Sequence, residues 1–179
     1  MSSGDRAALV ALSGCTGGTR WRFSNNWDTE ADLSDWHCVE VKDDGRVVKL
    51  VLLSNNLKGT IPDAVGALTE LRALYLIGNK LTGPIPEALG ALKELAHLGL
   101  GENKLTGSIP AWLESLKKLQ QLGLSRNQLA SEKSKGPSNP VLSWCPCLYM
   151  CYDRRKPLSS LPKHVVLVRF LKSLELCRS

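Results

Sequence analysis

Four stretches of this chain stand in register at a step of 24 residues: LVLLSNNLKGTIP from Leu50, LYLIGNKLTGPIP from Leu74, LGLGENKLTGSIP from Leu98 and the shortened LGLSRNQLA from Leu122. Asn55, Asn79, Asn103 and Asn127 align, as do Gly59, Gly83 and Gly107, then Ile61-Pro62, Ile85-Pro86 and Ile109-Pro110. A fixed period of this length describes a stack of similar coils rather than a single central core. No coil can bury its apolar side alone, so each is stable only against its neighbours.

Each position in the unit has a physical task. The alternation around Leu74 and Leu76 predicts a short strand with those leucines inward and Ala73, Tyr75 and Ile77 outward. The asparagine that follows is expected to be buried, its amide satisfying backbone groups left open where the chain turns, as a ladder from coil to coil. Gly59, Gly83 and Gly107 suit positions of positive φ, and Ile-Pro carries an apolar anchor into an extended or turn segment. Leu89 and Leu92, or Leu113 and Leu116, then face the core from a short helical turn.

The pattern LxxLxLxxNxLxGxIP is that of the leucine-rich repeats, and its LxGxIP ending resembles the plant-type subclass of receptor ectodomains and inhibitor proteins, which is also found in protist proteins. The resemblance implies an α/β fold: a short right-handed horseshoe solenoid, with parallel strands on the concave face and short helical or 3-10 turns on the convex face. Repeats occupy residues 47–130, three complete and one partial.

Residues 1–46 resemble the N-terminal cap of such proteins. DRAALVAL reads as a helix with Asp5 near its start and Leu9, Val10 and Leu12 available for packing. Trp21, Trp27 and Trp36 are apolar bodies suited to covering the end of the first coil. Cys15 and Cys38 stand where the family's cap pattern has Ala and Gly. They could pair, or remain buried thiols as a chain without a secretory context would have them.

After Leu129 the period is lost, and residues 131–179 form a basic, cysteine-containing tail expected to be poorly ordered. Residues 1–130 hold 14 basic and 14 acidic side chains and the tail holds 9 and 3, so the whole net charge of +6 belongs to the tail. The tail has three readings: translated sequence without selected structure, an improvised cap through Val165–Leu174, or a membrane-surface anchor through DRRKP and the cysteines of WCPCLYMC. Its C-x-C-x3-C spacing lacks a matching second half for zinc, so no metal and no cofactor are expected. The opening MSSGDRAALVALSG lacks the basic and apolar regions of a secretory signal, and no apolar run is long enough to span a bilayer. A cytoplasmic monomer is expected.

Catalysis finds no foothold. The chain has no G-x4-G-K-[ST], H-E-x-x-H or G-x-S-x-G, and SGCTGGTR lacks the phosphate-loop lysine. His37, His97 and His164 have no ligand spacing. Function must then come from residues that the register turns outward: Lys49, Val51, Leu53, Tyr75, Ile77, His97 and Gln121 on the concave strands, with Glu102 and Arg126 at their ends. An aromatic anchor beside aliphatics and bordered by charges has the makeup of a protein-binding surface, although exposed β-branched residues are also ordinary in strands. The concave face carries no basic stripe with interleaved aromatics, which argues against nucleic acid. The expectation is a non-catalytic module recognising a protein or peptide, in recognition or signalling. The alternative is the recognition part of a larger receptor kinase or GTPase with repeats.

Overall fold

The computed structural model describes residues 3–130; the readings of the tail, including its cysteines, His164 and the segment around Val165, lie outside the described residues. The expected solenoid is what forms. Helix α1 (Ser3–Thr16) is followed by strands β1 (Val39–Val41) and β2 (Val47–Val51), and each later coil contributes one strand to the same sheet: β4 (Ala73–Tyr75), β6 (His97–Gly99) and β8 (Gln121–Gly123). The sheet order is β1-β2-β4-β6-β8, with β1 antiparallel to β2 and the rest parallel. Leu50, Leu74, Leu98 and Leu122 pair across it, which preserves the 24-residue step in space.

Behind this sheet the inward leucines form one continuous core with the convex turns. Leu50, Leu74, Leu76, Leu89, Leu92, Leu98 and Leu100 are all buried, and Leu113 and Leu116 of the last coil join them. The convex turns are short 3-10 helices, Asp63–Ala67, Glu87–Ala91 and Ala111–Ser115, each entered from a proline in extended conformation. Proline fixes φ there and, having no N–H, leaves no donor to satisfy.

The asparagine ladder is present in full. Asn79 Oδ1 accepts from the N–H groups of Asn55 and Leu57 in the preceding coil, and Asn103 and Asn127 do the same for Leu81 and Leu105. Each side-chain amide also donates to carbonyls of its own coil and the one before. The chain turns for this through left-handed backbone at Ser54, Gly78, Glu102 and Arg126, the residue just before each asparagine.

A second parallel sheet was not foreseen. β3 (Lys58–Thr60), β5 (Lys80–Gly83) and β7 (Lys104–Leu105) pair in that order on the flank between the concave strands and the convex turns. The positive φ expected at the three repeat glycines is found: 130° at Gly59 in the middle of β3, 77° at Gly83 at the end of β5 and 82° at Gly107 just after β7. Gly59 has a further reason to lack a side chain, since a Cβ there would come within 2.1 Å of the Cys15 carbonyl oxygen at the end of α1.

Residues 3–46 pack on the first coil, α1 lying against β3 and the turn Asp63–Ala67. The three tryptophans form one cluster, Trp21 edge-on to Trp27 with ring centroids 4.7 Å apart and Trp27 5.1 Å from Trp36. Every indole N–H in it donates to a backbone carbonyl. Two expectations are corrected here. Val10 is 43% exposed, because α1 buries the stripe Asp5, Ala8, Leu9, Leu12, Ser13 and Thr16 and Val10 lies off it. Cys15 is exposed at the last turn of α1 and Cys38 is half-buried, and no disulfide joins them.

Candidate functional site

The concave sheet presents three rows of outward side chains, each set by strand register. Lys49, Ala73, His97 and Gln121 make the first, and Val51, Tyr75, Gly99 and Gly123 the second. Leu53, Ile77, Gly101 and Ser125 follow, held by the continuing ladder of N–H groups two residues on. The sequence-assigned residues are thus brought onto one face.

Their arrangement is more organised than a list of exposed groups. The Tyr75 ring stacks on His97, centroids 6.3 Å apart with 23° between planes. His97 Nδ1 in turn lies 3.1 Å from Gln121 Oε1, so three successive coils are linked across the face. The phenol is about half-buried, and that desolvation pushes its pKa up from the ordinary tyrosine value. The charged members are already engaged within the fold: Lys49 Nζ is 3.0 Å from Glu40, and Arg126 Nη1 is 3.0 Å from Glu102. Along the adjoining edge Glu94 binds Lys118, whose hydrogen bond pulls the Glu94 carboxyl below its usual range, while hydrogen bonds from Lys42 to Glu70 and Asp44 raise the Lys42 pKa.

Gly99 is the residue that sequence reasoning undervalued. It is buried beneath Tyr75 and Ile77: a Cβ there would meet Tyr75 Cδ1 at 2.8 Å and Ile77 Cδ1 at 2.9 Å. Both side chains therefore lean over the glycine of the next coil. At Gly123 a Cβ would find nothing nearer than the Gly99 Cα at 3.8 Å, so the face opens into a shallow trough of backbone. The signal was available as a glycine at an outward strand position, where glycine often marks the close approach of another group.

Among the described residues, no group of three or more His, Cys, Asp or Glu could hold a metal ion, and no helix is long and apolar enough to cross a membrane. The face offers shape, one aromatic stack and hydrogen-bonding groups, which are means of recognition.

Comparison with known proteins follows the same line. The family described as Leucine rich repeat matches residues 78–129. The ectodomain of the receptor kinase SOBIR1 from Arabidopsis thaliana is 30% identical with a TM-score of 0.59, the match covering 72% of this chain and 70% of that one. The BIR2 ectodomain from Arabidopsis thaliana is 29% identical with a TM-score of 0.64, covering 70% of this chain and 68% of that one. The Arabidopsis receptor kinase HAESA, solved with the peptide hormone IDA and the co-receptor SERK1, is 27% identical with a TM-score of 0.64; the match covers 71% of this chain but 22% of that one. No curated protein matches the chain. The cytoplasmic expectation finds no support among these relatives, two of which are ectodomains.

Proposed function

This chain belongs to the leucine-rich-repeat family, and from that premise we propose that it is a non-catalytic module whose concave face captures a protein or peptide. The observation that carries the reading is the stack of Tyr75 on His97, set over Gly99 and braced by Gln121. A side chain already fixed by its neighbours has little freedom left to lose when a partner docks, so more of the contact energy appears as affinity. HAESA is a relative solved with a bound peptide hormone, which favours a peptide as the partner.

In this reading Val51, Leu53, Tyr75 and Ile77 supply the apolar contact, His97 and Gln121 the hydrogen bonds, and Lys49, Glu102 and Arg126 the charged border. Residues 1–46 serve as the cap and residues 47–130 as the repeats of the plant-type subclass, which the second sheet and the tryptophan cluster favour. The module works as a monomer and takes no nucleic acid, because the concave cations are matched to carboxylates.

The test uses peptides selected on the wild-type chain from a displayed random library. Tyr75→Ala should weaken their binding at least about tenfold, as loss of a buried aromatic anchor does, with the melting temperature nearly unchanged because the ring lies outside the core. Unchanged affinity would remove the concave-face assignment. Gly99→Ala offers a second reading of the same site. Its new methyl must push Tyr75 and Ile77 aside, so it should alter affinity for the same peptides although no partner-contacting side chain is removed; an unchanged affinity would mean that the stack does not shape the site.

The second reading, the recognition part of a larger receptor kinase or GTPase, draws on SOBIR1 and HAESA being receptor kinases. The intact mass of the protein from its native source decides it: a mass of 19.6 kDa would rule the larger enzyme out.

A further inference from the structure

Among the described residues two large apolar side chains stand exposed, Val10 at 43% and Phe23 at 49%. A single exposed apolar side chain is ordinary, and Val10, off the buried stripe of α1, is one of these. Phe23 differs in being held and in having company. Its ring lies 5.5 Å from the His37 ring, with 35° between the planes. Its N–H donates to Asn55 Oδ1 at 2.7 Å and its carbonyl accepts from Asn55 Nδ2 at 2.8 Å, so the first asparagine of the ladder grips its backbone twice. His37 is fixed likewise, its N–H donating to the Asn25 carbonyl at 3.0 Å and its carbonyl accepting from Trp27 Nε1 at 2.9 Å.

These bonds put the pair at the N-terminal border of the concave face. Phe23 N binds Asn55 Oδ1 as Asn55 N, one coil on, binds Asn79 Oδ1, so Phe23 stands one level before the first repeat in the stack. Asn55 follows Leu53 by two residues, and Cys38, next to His37, gives its carbonyl to Val51 N at 3.0 Å. Val51 and Leu53 are themselves half-buried, Val51 pairs with Tyr75, and the backbone bond from Ser54 N to the Ile77 carbonyl sets Leu53 beside Ile77. A run of apolar groups therefore extends from Phe23 through Leu53 and Val51 to Tyr75 and Ile77. An aromatic ring beside a histidine stands at each end of it, Phe23 with His37 and Tyr75 with His97.

We propose that Phe23 is a second anchor of the recognition site, and that the partner is an extended peptide with two large apolar residues four positions apart. One is seated on Phe23 and Leu53, the other against Tyr75 and His97. This rests on the concave face being the binding face, and the run of apolar groups is continuous with it. Between Phe23 and the stack of Tyr75 on His97 lie two to three strand spacings of about 4.8 Å, or about 12 Å in all. A peptide crossing the strands in extended form rises about 3.3 Å per residue and turns every second side chain to one side, so residues i and i+4 span about 13 Å. The residue at i+2 falls over Val51 and meets an apolar floor. A helical partner rises about 1.5 Å per residue and would need its anchors eight positions apart. Phe23 and Tyr75 are already held by backbone bonds or stacking, so docking orders little of the protein.

The test uses peptides selected on the full chain from a displayed random library, with affinities measured by isothermal titration. The selected sequences should share two large apolar residues at i and i+4. Phe23→Ala should weaken their binding at least about tenfold, and Phe23→Trp should retain it. Neither should lower the melting temperature, because the ring is half in water and the bonds to Asn55 come from the backbone. Changing one anchor of the peptide to alanine should remove the effect of Phe23→Ala and leave that of Tyr75→Ala, and changing the other anchor should do the reverse. Unchanged affinity in Phe23→Ala beside a loss in Tyr75→Ala would overturn the second anchor and leave the concave site standing. No loss in either variant would overturn both. A loss in Phe23→Ala alone would confine the partner to the N-terminal segment and overturn the two-anchor site, and anchors eight positions apart would overturn the extended partner.

Discussion

Replacing Asn79 by alanine is expected to lower unfolding stability by about 3 to 5 kcal/mol, a large share of the 5 to 15 kcal/mol typical of a domain. The side chain is 8% exposed and fully committed. Its oxygen accepts from Asn55 N at 2.9 Å and Leu57 N at 3.1 Å, and its nitrogen donates to Leu52 O at 2.7 Å and Leu76 O at 2.9 Å. Alanine leaves two buried N–H groups and a carbonyl of the preceding coil without partners. Each orphaned buried group costs about 1 to 3 kcal/mol, partly relieved where water can enter. Asn79→Asp separates the two functions: it keeps the acceptor but places a carboxylate against carbonyl oxygens. It should be at least as damaging as alanine. Asn127 makes the corresponding donor bonds in the last coil but accepts from Leu105 N alone, and it is only half-buried, so Asn127→Ala should cost about 1 kcal/mol. Urea unfolding of the three variants checks the order. Equal, small losses at positions 79 and 127 would mean that water, not the ladder, satisfies the turn.

That gradient was half legible in the sequence. The four aligned asparagines after an apolar alternation announced the ladder, because a polar residue recurring beside core leucines must satisfy something buried. The strands of the second sheet were not legible. Segments such as KGT and KLTG are too short to display alternation and contain glycine, which weakens a strand taken alone. They become strands because the stack sets their backbones side by side, a property of neighbours rather than of any one segment. Helix α1 misled for a related reason. Its buried stripe runs through Asp5, Ala8, Leu9, Leu12, Ser13 and Thr16, so small and polar residues take places where hydrophobicity alone would put Val10. At the concave face the outward positions followed from register, whereas the leaning of Tyr75 over Gly99 depends on side-chain packing between coils.

The polar members of that helical stripe lead to the other large effect: Asp5→Ala should destabilise the protein by about 3 to 5 kcal/mol. Asp5 is 1% exposed. Its carboxylate accepts from Val47 N at 2.9 Å and from Arg46 Nε at 3.1 Å, and Arg46 Nη2 reaches on to Thr69 Oγ1 at 2.9 Å. One side chain thus joins α1 to the first residue of β2 and, through Arg46, to the end of the first convex turn. Alanine removes the anion and leaves a buried N–H and a guanidinium without their partner. Asp5→Asn keeps an acceptor for Val47 but sets an amide beside the guanidinium, so its cost should be intermediate. The double variant Asp5→Leu/Arg46→Met removes both charges and should recover much of the loss, since the attraction of a buried pair mainly offsets its own desolvation. Hydrogen exchange adds the spatial reading: in Asp5→Ala the amides of Val47 to Val51 should lose protection before those of Gln121 to Gly123. The first concave strand, which carries Lys49 and Val51, would then depend for its order on a carboxylate in the N-terminal helix. A loss below about 1 kcal/mol, or uniform exchange along the stack, would show that the contact does not hold that strand.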